Sequence, residues 1–195
     1  MSTKERILEK ALALFADHGY DGIGVDGIAE AVGIKGPSLY RHFKGKEEIL
    51  NALIDKAESH YDEFFGSTDH IGIIPENKVE FITMTMKRIS FTMTDPMIQM
   101  IRKLLVQEQF RNERVAQVTS KHQMDGIMGM YEKIIRGMMD KGLVKKDDAG
   151  MLAMELAAPA VLMIAKADRQ PECREDMLDA IEKHLRHFCD EYMKS

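Results

Sequence analysis

Apolar residues recur at intervals of three and four along most of the chain, which is the spacing of amphipathic helices. Ser2 and Glu5 have the spacing of a capping box that would begin the first helix, and Gly19 is placed to end it. No stretch of useful length shows the alternating pattern of a half-buried strand. The pattern therefore predicts an all-α protein.

Two short helices are predicted next, over residues 25–32 and from about Gly36, with Gly33 in the turn between them. Pro37 suits the first position of the second of these helices, because its missing N–H is not needed there. A fourth helix is predicted to begin at Lys46. The helical pattern resumes after a loop at 66–76 and continues to about residue 93; further helices are predicted at 97–118 (one or two), 119–141, 149–165 and 172–192.

The two short helices and their turn describe a helix-turn-helix, in which the second helix enters the major groove of DNA. The segment from Gly33 to Lys46, GIKGPSLYRHFKGK, holds several cations and no carboxylate, although the whole chain has a formal net charge of −5. Local cations that displace counterions supply much of the affinity for DNA, whatever the charge of the rest of the protein. An ordinary solvated face is the alternative, but here the cations coincide with small residues and a turn.

Composition and motifs disfavour several other classes of function. The chain has two cysteines and contains no CxxC, HExxH or phosphate-cradling glycine pattern. No apolar run reaches the roughly 20 residues of a membrane span, and the charged N-terminus is unlike a secretory signal. We therefore expect a cytoplasmic protein without membrane association, metal, cofactor or enzymatic activity.

Two small clusters of polar residues have the composition of a chemical site but not its arrangement. His184 and His187 could share a face of the last helix, but a metal site needs more than two ligands. Ser120, Lys121 and His122 are adjacent in sequence, which is not the spatial arrangement that nucleophilic catalysis requires. We expect the two histidines to be solvated or to lie at an interface.

Residues 1–65 resemble the N-terminal DNA-binding domain of the TetR family of transcriptional regulators. The matching segments are LFADHGYDG, IAEAVGI and SLYRHFKGKEEIL, in the family's order and spacing. The resemblance implies a three-helix helix-turn-helix domain, assigned to residues 1–46, and a helical effector-binding and dimerisation domain, assigned to residues 47–195. The helix that begins at Lys46 would link the two.

The resemblance also implies which residues face DNA. Ser38 and Arg41 are the leading candidates for base contacts, since arginine can read guanine through two hydrogen bonds. Tyr40, His42 and Lys46 are expected to hold phosphates. The full predicted DNA-binding set is Lys35, Gly36, Pro37, Ser38, Tyr40, Arg41, His42 and Lys46.

Two positions depart from the family's pattern. Gly24 stands where the family usually has Ser or Thr, and Lys35 and Gly36 stand where it often has Ser-Lys. Glycine can cap a helix at a cost of a few tenths of a kcal/mol. The phosphate contact that a hydroxyl would make at Gly24 is lost.

The last two predicted helices are candidates for a two-fold, four-helix dimer interface. The predicted interface residues are Leu152, Leu156, Ala160, Val161, Ile164, Met177, Leu178, Ile181, Leu185 and Phe188. The alternative is that both helices only close the core of their own subunit. Pro159 is expected to kink the first of these helices or to lie in its final turns.

An apolar cavity for a small effector is predicted in the C-terminal part, where adaptable methionines are frequent. Its predicted lining is Phe81, Met84, Phe91, Met97, Met100, Ile101, Leu104, Phe110, Met124, Ile127, Met128 and Tyr131. Glu108 and Asp125 are candidate anchors that would favour a cationic ligand. Ordinary core packing explains each of the lining residues equally well.

The sequence thus predicts a homodimeric transcriptional regulator, with repression as the preferred mode. It would bind a roughly palindromic double-stranded operator and be released by a small apolar or cationic molecule that favours another conformer. Movement of the helix that begins at Lys46 would change the separation of the recognition helices. Two alternatives stay open: a DNA-binding regulator without an effector, and an enzyme or ligand carrier that has lost DNA binding.

Overall fold

The computed structural model describes residues 1–65 and 73–194, apart from the side chains of residues 64, 65, 122 and 123. Within these ranges the chain forms ten α-helices and no strand, so the all-α prediction is confirmed. The helices are α1 (Thr3–His18), α2 (Val25–Val32), α3 (Gly36–Leu39), α4 (Lys46–Phe65), α5 (Lys78–Thr94), α6 (Pro96–Glu108), α7 (Glu113–Ser120), α8 (Gly126–Asp140), α9 (Ala149–Arg169) and α10 (Arg174–Tyr192). A π-helical turn, Lys121–Asp125, precedes α8, and a 3₁₀ turn, Pro171–Cys173, precedes α10.

The helix boundaries differ from the predicted ones in a few places. Helix α9 runs to Arg169, so the first part of the loop predicted at 166–172 is helical. The helix predicted over 119–141 begins as the π-helical turn before α8. Of the loop predicted at 66–76, residues 66–72 lie outside the described residues.

Contacts between residues divide the chain into two compact groups. Unit 1 comprises Met1–Phe64 and Pro96–Val118, and unit 2 comprises Phe65–Asp95 and Thr119–Ser195. This grouping differs from the predicted division after residue 46. Helices α4 and α6 group with the N-terminal helices, and α6 packs against α1. The functional division at 46/47 stays a prediction.

Unit 1 begins with the predicted capping box. The Glu5 N–H donates to Ser2 Oγ at 3.2 Å, and the Ser2 N–H donates to Glu5 Oε2 at 2.6 Å. These two bonds satisfy main-chain donors that a helix start leaves without partners. The apolar stripe of α1 is buried, including Phe15, and Ile28 of α2 and Phe43 after α3 are buried as well.

Unit 2 is built on α5, α8, α9 and α10. Helix α9 packs against both α8 and α10, and α10 packs against α5. The largest fully buried side chains in this unit are Phe81, Met93, Ile134 and Ile135. The phenol of Tyr192 donates to Glu155 Oε2 at 2.7 Å and so links α10 to α9.

Helix α9 is apolar on nearly all sides and contains Pro159 in its interior. It is the one helix, of those described, that is long and apolar enough to cross a membrane. This is weak evidence for a span, because an apolar helix that closes a protein core meets the same criterion. Seven residues of α9, among them Leu152 and Leu156, are buried in the core of unit 2.

Candidate nucleic-acid interface

The turn between α2 and α3 depends on Gly33, whose φ of 76° lies in the left-handed region. The N–H of Gly33 donates to the Glu30 carbonyl at 2.9 Å, and the N–H of Ile34 donates to the Ala29 carbonyl at 3.0 Å. This pair of bonds is the Schellman motif, which ends a helix at a residue without a Cβ. The helix-turn-helix predicted around this glycine is confirmed.

Helix α3 is shorter than predicted. It ends at Leu39, so Tyr40, Arg41 and His42, which were expected on the recognition helix, lie in the turn that follows it. The N–H of His42 donates to the Leu39 carbonyl at 2.9 Å, three residues back instead of four. Because that bond interrupts the α-helical ladder, the chain completes only one regular turn before curling towards α4. Pro37 is the second residue of α3, not the first.

The side chains of this segment separate into two sets. Leu39 and Phe43, four residues apart, are almost completely buried in unit 1. Tyr40 is 54% exposed, and Arg41 and His42 are exposed beside it. The other members of the predicted DNA-binding set are exposed (Lys35, Pro37) or half-buried (Gly36, Ser38, Lys46).

Helices α2 and α3 begin without side-chain caps, as predicted from the glycine and lysine that replace the family's usual hydroxyl residues there. Gly24 at the start of α2 and Lys35 at the start of α3 make no side-chain capping hydrogen bond. The start of α4 is different, because Glu48 accepts the Lys44 N–H at 2.5 Å. The carboxylate of Glu48 therefore serves the N-terminal end of α4, where negative charge is favourable.

Lys46, the first residue of α4, is held against Tyr20. Its Nζ donates to the Tyr20 carbonyl at 2.7 Å and lies 4.2 Å from the centroid of the Tyr20 ring. Burial raises the pKa of the Tyr20 phenol, and the carboxylates of Glu47, Asp21 and Glu108 raise it further, so the ring stays neutral beneath the ammonium group. An ammonium group has three N–H donors, and the carbonyl of Tyr20 takes one of them.

Two further cations on α1 were missed in the sequence. Lys4 is exposed, and its ammonium group lies 5.4 Å from the centroid of the Phe43 ring. Arg6 donates from Nη2 to the Val32 carbonyl at 2.5 Å and so ties α1 to the end of α2. The basic start of the chain, MSTKER, was the only local signal, and nothing in it shows that Lys4 lies beside Phe43.

The region with this geometry also matches a known family. Residues 7–53 match the model described as bacterial regulatory proteins, tetR family. The match covers α2, α3 and most of α1, and it ends within α4. Residues 7–53 therefore match the N-terminal domain of the TetR family, as the resemblance predicted.

Curated relatives from this family resemble part of the chain. The negative transcriptional regulator IcaR of the biofilm operon icaADBC from Staphylococcus epidermidis is 38% identical over 61 residues, which is 31% of this chain and 33% of the relative. IcaR from Staphylococcus aureus strain Newman is 48% identical over 51 residues, which is 26% of this chain and 27% of the relative. The matched segment thus spans about a third of the length of these relatives or less.

Solved structures resemble nearly the whole chain. SmeT, the repressor of the Stenotrophomonas maltophilia multidrug efflux pump SmeDEF, has a TM-score of 0.74 at 19% identity and covers 100% of this chain and 92% of its own. A SmeT–triclosan complex has a TM-score of 0.80 at 18% identity, with coverage of 100% and 93%. The fatty acid degradation regulator FadR from Bacillus halodurans has a TM-score of 0.72 at 13% identity, with coverage of 98% and 96%. At these identities the likeness shows the TetR-family fold.

The residues predicted to line an effector cavity are divided between the two units. Met97, Met100, Ile101, Leu104 and Phe110 belong to unit 1, and Phe81, Met84, Phe91, Met124, Ile127, Met128 and Tyr131 belong to unit 2. Phe81, Ile101, Leu104 and Tyr131 are buried, whereas Phe110 is 90% exposed and Met124 is 64% exposed. The cavity stays a prediction.

The two predicted anchors have unlike surroundings. Glu108 is 2% exposed in unit 1 and accepts the Tyr20 N–H at 3.1 Å. It borders an open cleft of roughly 310 Å³, whose other lining residues are Asp17, His18, Gly19, Gln107 and Arg111. Asp125 is exposed at the end of the π-helical turn in unit 2. Glu108 is therefore engaged with the main chain of its own unit, which sequence spacing did not reveal.

Most residues predicted at the dimer interface lie in the core of unit 2. Leu152, Leu156, Ala160, Ile181, Leu185 and Phe188 are buried there, and Ile164, Met177 and Leu178 pack against that core. The reason is that α9 and α10 pack against each other and enclose these side chains. Val161 is 36% exposed, and the larger exposed apolar side chains of α9 are Met151, Met154 and Leu162. The dimer interface stays a prediction, and its accessible residues differ from most of those expected.

The histidines of α10 have different roles. His184 is half-buried, and its Nε2 lies 3.2 Å from the Leu156 carbonyl, while His187 is exposed. Among the described residues, no group of three or more His, Cys, Asp or Glu side chains could hold a metal ion. Of the sequence-adjacent trio, Ser120 and Lys121 are exposed and the side chain of His122 lies outside the described residues.

Proposed function

We propose that this TetR-family protein is a transcriptional repressor that binds a near-palindromic operator as a homodimer. The observation that carries the proposal is the division of side chains around α3. Leu39 and Phe43 anchor the segment in unit 1, whereas Tyr40, Arg41 and His42 face outward. A segment built in this way can enter a groove without losing its own core contacts.

The exposed residues suit two kinds of DNA contact. Arg41 can donate two hydrogen bonds to guanine, and Ser38 can reach either a donor or an acceptor on a base edge. Tyr40, His42 and Lys46 are suited to phosphates, which fix the orientation of the protein without reading sequence. Lys4, exposed beside Phe43, adds a further cation at the edge of this surface.

Repression is supported by the relatives. IcaR is named a negative transcriptional regulator, and its similarity to this chain extends over 61 residues in one species and 51 in another. SmeT, which shares the fold, is named a repressor. A DNA-binding repressor of this type acts in the cytoplasm, where its operator is accessible.

A homodimer is supported by the exposed face of α9. Met151, Met154 and Leu162 are each more than half exposed, and Val161 lies on the same helix. Large apolar side chains that cluster on an exposed surface mark an interaction site. In a two-fold dimer the same surface of each subunit meets its copy, so one such face is sufficient.

We further infer that a small apolar molecule bound in the C-terminal part regulates DNA binding. The support is the solved complex of SmeT, a protein of this fold, with triclosan. A cationic effector has less support, because the carboxylate of Glu108 is buried and engaged with Tyr20. The ligand would act by binding one conformer more tightly than the other.

A binding assay with the DNA upstream of the protein's own gene, at stated salt, tests the proposal. If that DNA is not bound, duplexes selected from a random pool supply the site. We expect wild-type protein to bind specifically and Arg41→Ala to bind roughly 5- to 150-fold more weakly, the loss of one bidentate base contact. Arg136→Ala is the matched control, because Arg136 is an exposed arginine of unit 2 paired with Glu132.

Three results would contradict the proposal. Failure to select any duplex would exclude a sequence-specific regulator, and equal affinity of the Arg41 and Arg136 variants would exclude the assigned surface. For the effector, a compound that saturates the protein without changing operator affinity would exclude regulation by that compound, because coupling between two sites is reciprocal.

A further inference from the structure

Glu108 is a buried carboxylate that the DNA-binding surface does not contain. It is the last residue of α6, it is 2% exposed, and 88 residues separate it from Tyr20, whose N–H it accepts at 3.1 Å. A buried acidic side chain is rare unless it is paired or hydrogen-bonded. The contact with Tyr20 is therefore a built feature that needs an explanation.

Tyr20 connects this carboxylate to the start of α4. Its main chain follows Gly19, whose φ of 77° and N–H bond to the Phe15 carbonyl end α1. Its ring packs edge-on against Phe15, with 5.2 Å between ring centroids. The carbonyl of the same residue accepts Lys46 Nζ at 2.7 Å, and the ring lies 4.2 Å beneath that ammonium group. Tyr20 thus donates one hydrogen bond to Glu108 and accepts another from Lys46.

We propose that Glu108 is a positioning residue for DNA binding, acting through Tyr20 on Lys46. The Glu108 carboxylate fixes the Tyr20 main chain, and Tyr20 fixes the ammonium group that the proposed function assigns to a phosphate. The proposal rests on that function. It accounts for the burial of a carboxylate in unit 1. It also connects the last residue of α6 to the DNA-binding surface.

Each of the two hydrogen bonds has one charged partner, the Glu108 carboxylate or the Lys46 ammonium group, which makes it stronger than a bond between neutral groups. When the carboxylate is removed, the part-buried Tyr20 N–H loses its acceptor and the segment after α1 is less well fixed. Lys46 then adopts several positions, and the ordering cost of returning to the phosphate leaves that phosphate largely without its cation. The predicted loss is thus in DNA affinity and in the number of phosphates neutralised.

A double-mutant cycle with Glu108→Met and Lys46→Met tests the proposal. Methionine keeps most of the volume of each side chain and removes the acceptor or the charge. Binding to the selected duplex is measured over a series of salt concentrations, with melting temperatures and circular dichroism as checks of folding. Gln107→Met is the matched control, because Gln107 is the exposed neighbour of Glu108 on the same helix.

We expect Glu108→Met to weaken DNA binding roughly 3- to 10-fold, which is the net contribution of one ordinary hydrogen bond, because Glu108 acts on the phosphate contact only through Tyr20 and Lys46. The slope of log affinity against log salt should become shallower by about one, as for Lys46→Met. In the Lys46→Met background the Glu108 substitution should change affinity less than about twofold. Glu108→Gln keeps an oxygen acceptor and should restore most of the affinity.

Equal losses in the presence and absence of Lys46, or an unchanged salt slope, would overturn the positioning role while leaving the DNA-binding function intact. If wild-type protein selects no duplex, the proposed function fails and this proposal fails with it. If Glu108→Met does not fold, Glu108→Asp replaces it in the cycle. That variant keeps the charge and withdraws it by one methylene, and the same non-additivity is expected.

Discussion

The two units of the protein expose different chemistry. Around α3, unit 1 exposes Lys35, Tyr40, Arg41 and His42, whereas unit 2 exposes large apolar side chains on α9, with Leu162 at 72%. Charged side chains are stable in water, but a cluster of large apolar ones is stabilised by being covered. The first surface suits a polyanion and the second suits another protein surface.

Helix α9 contains both buried and exposed apolar side chains. Leu156 is 1% exposed and lies in the core of unit 2, while Leu162, six residues later, is 72% exposed and is the most exposed large apolar side chain of the helix. The same residue type therefore has two roles, which the helix periodicity alone cannot assign. Substitutions at these two leucines test the comparison directly.

The largest effect is expected from Leu156→Ala. Removing a fully buried leucine side chain should lower the free energy of unfolding by about 2–5 kcal/mol, through lost burial and the cavity left behind. Leu162→Ala, the matched control, should change it by about 0.5 kcal/mol or less. Urea denaturation of dilute protein measures both, because a dimer contributes least to stability at low concentration. Similar losses of stability at the two positions would refute the division of α9 into a buried and an exposed face.

A second large effect is expected from Leu162→Glu on self-association. A carboxylate in an apolar interface must be desolvated, so we expect dimer dissociation to be favoured by about 2 kcal/mol or more, roughly 30-fold in Kd. Sedimentation velocity over a range of protein concentrations measures the change.

Val79→Glu is the control for this experiment. Val79 is 73% exposed on α5, so the control introduces the same carboxylate at an exposed apolar position of a different helix in the same unit. A dimer that survives Leu162→Glu but not Val79→Glu would place the interface elsewhere on unit 2.

The smallest effect is expected from Ser2→Ala, which removes the side-chain acceptor of the capping box on α1. The loss should be about 1 kcal/mol, and Ser59→Ala, in the interior of α4, should be close to neutral because alanine favours a helix interior. Hydrogen exchange by mass spectrometry locates the effect. Faster exchange in α1 with unchanged exchange in α9 is expected, and equal changes in both would show that the two units do not respond separately.

The sequence predicted unit 1 better than unit 2. The capping residues, Gly33 and the Leu39–Phe43 spacing act within a few residues, and the structure has all of them. The length of α3 was overestimated, because the N–H of His42 donates to the Leu39 carbonyl three residues back instead of continuing the four-residue pattern. That hydrogen bond depends on how the chain approaches α4, which the sequence of α3 alone does not show.

In unit 2 the sequence identified the helices but not the neighbours that they cover. Because α9 is apolar on nearly all sides, its pattern has no single inward face, and most of the residues predicted at the dimer interface proved to be core. The residues of the predicted effector cavity share an apolar residue type but not a degree of burial, since Phe81 is buried and Phe110 is 90% exposed.

The sequence by itself determined the helices, the turn at Gly33 and the basic segment that follows it, because hydrogen bonds and side-chain periodicity over three or four residues fix these features. Only the tertiary structure decided that Glu108 bonds to Tyr20, that Tyr20 holds Lys46, and that Leu162 faces outward while Leu156 faces inward. Those contacts join residues that are 26 or 88 positions apart, or depend on which helix packs on which side. A local pattern can show that a side chain should be covered, but the partner that covers it is set by the packing of the whole chain.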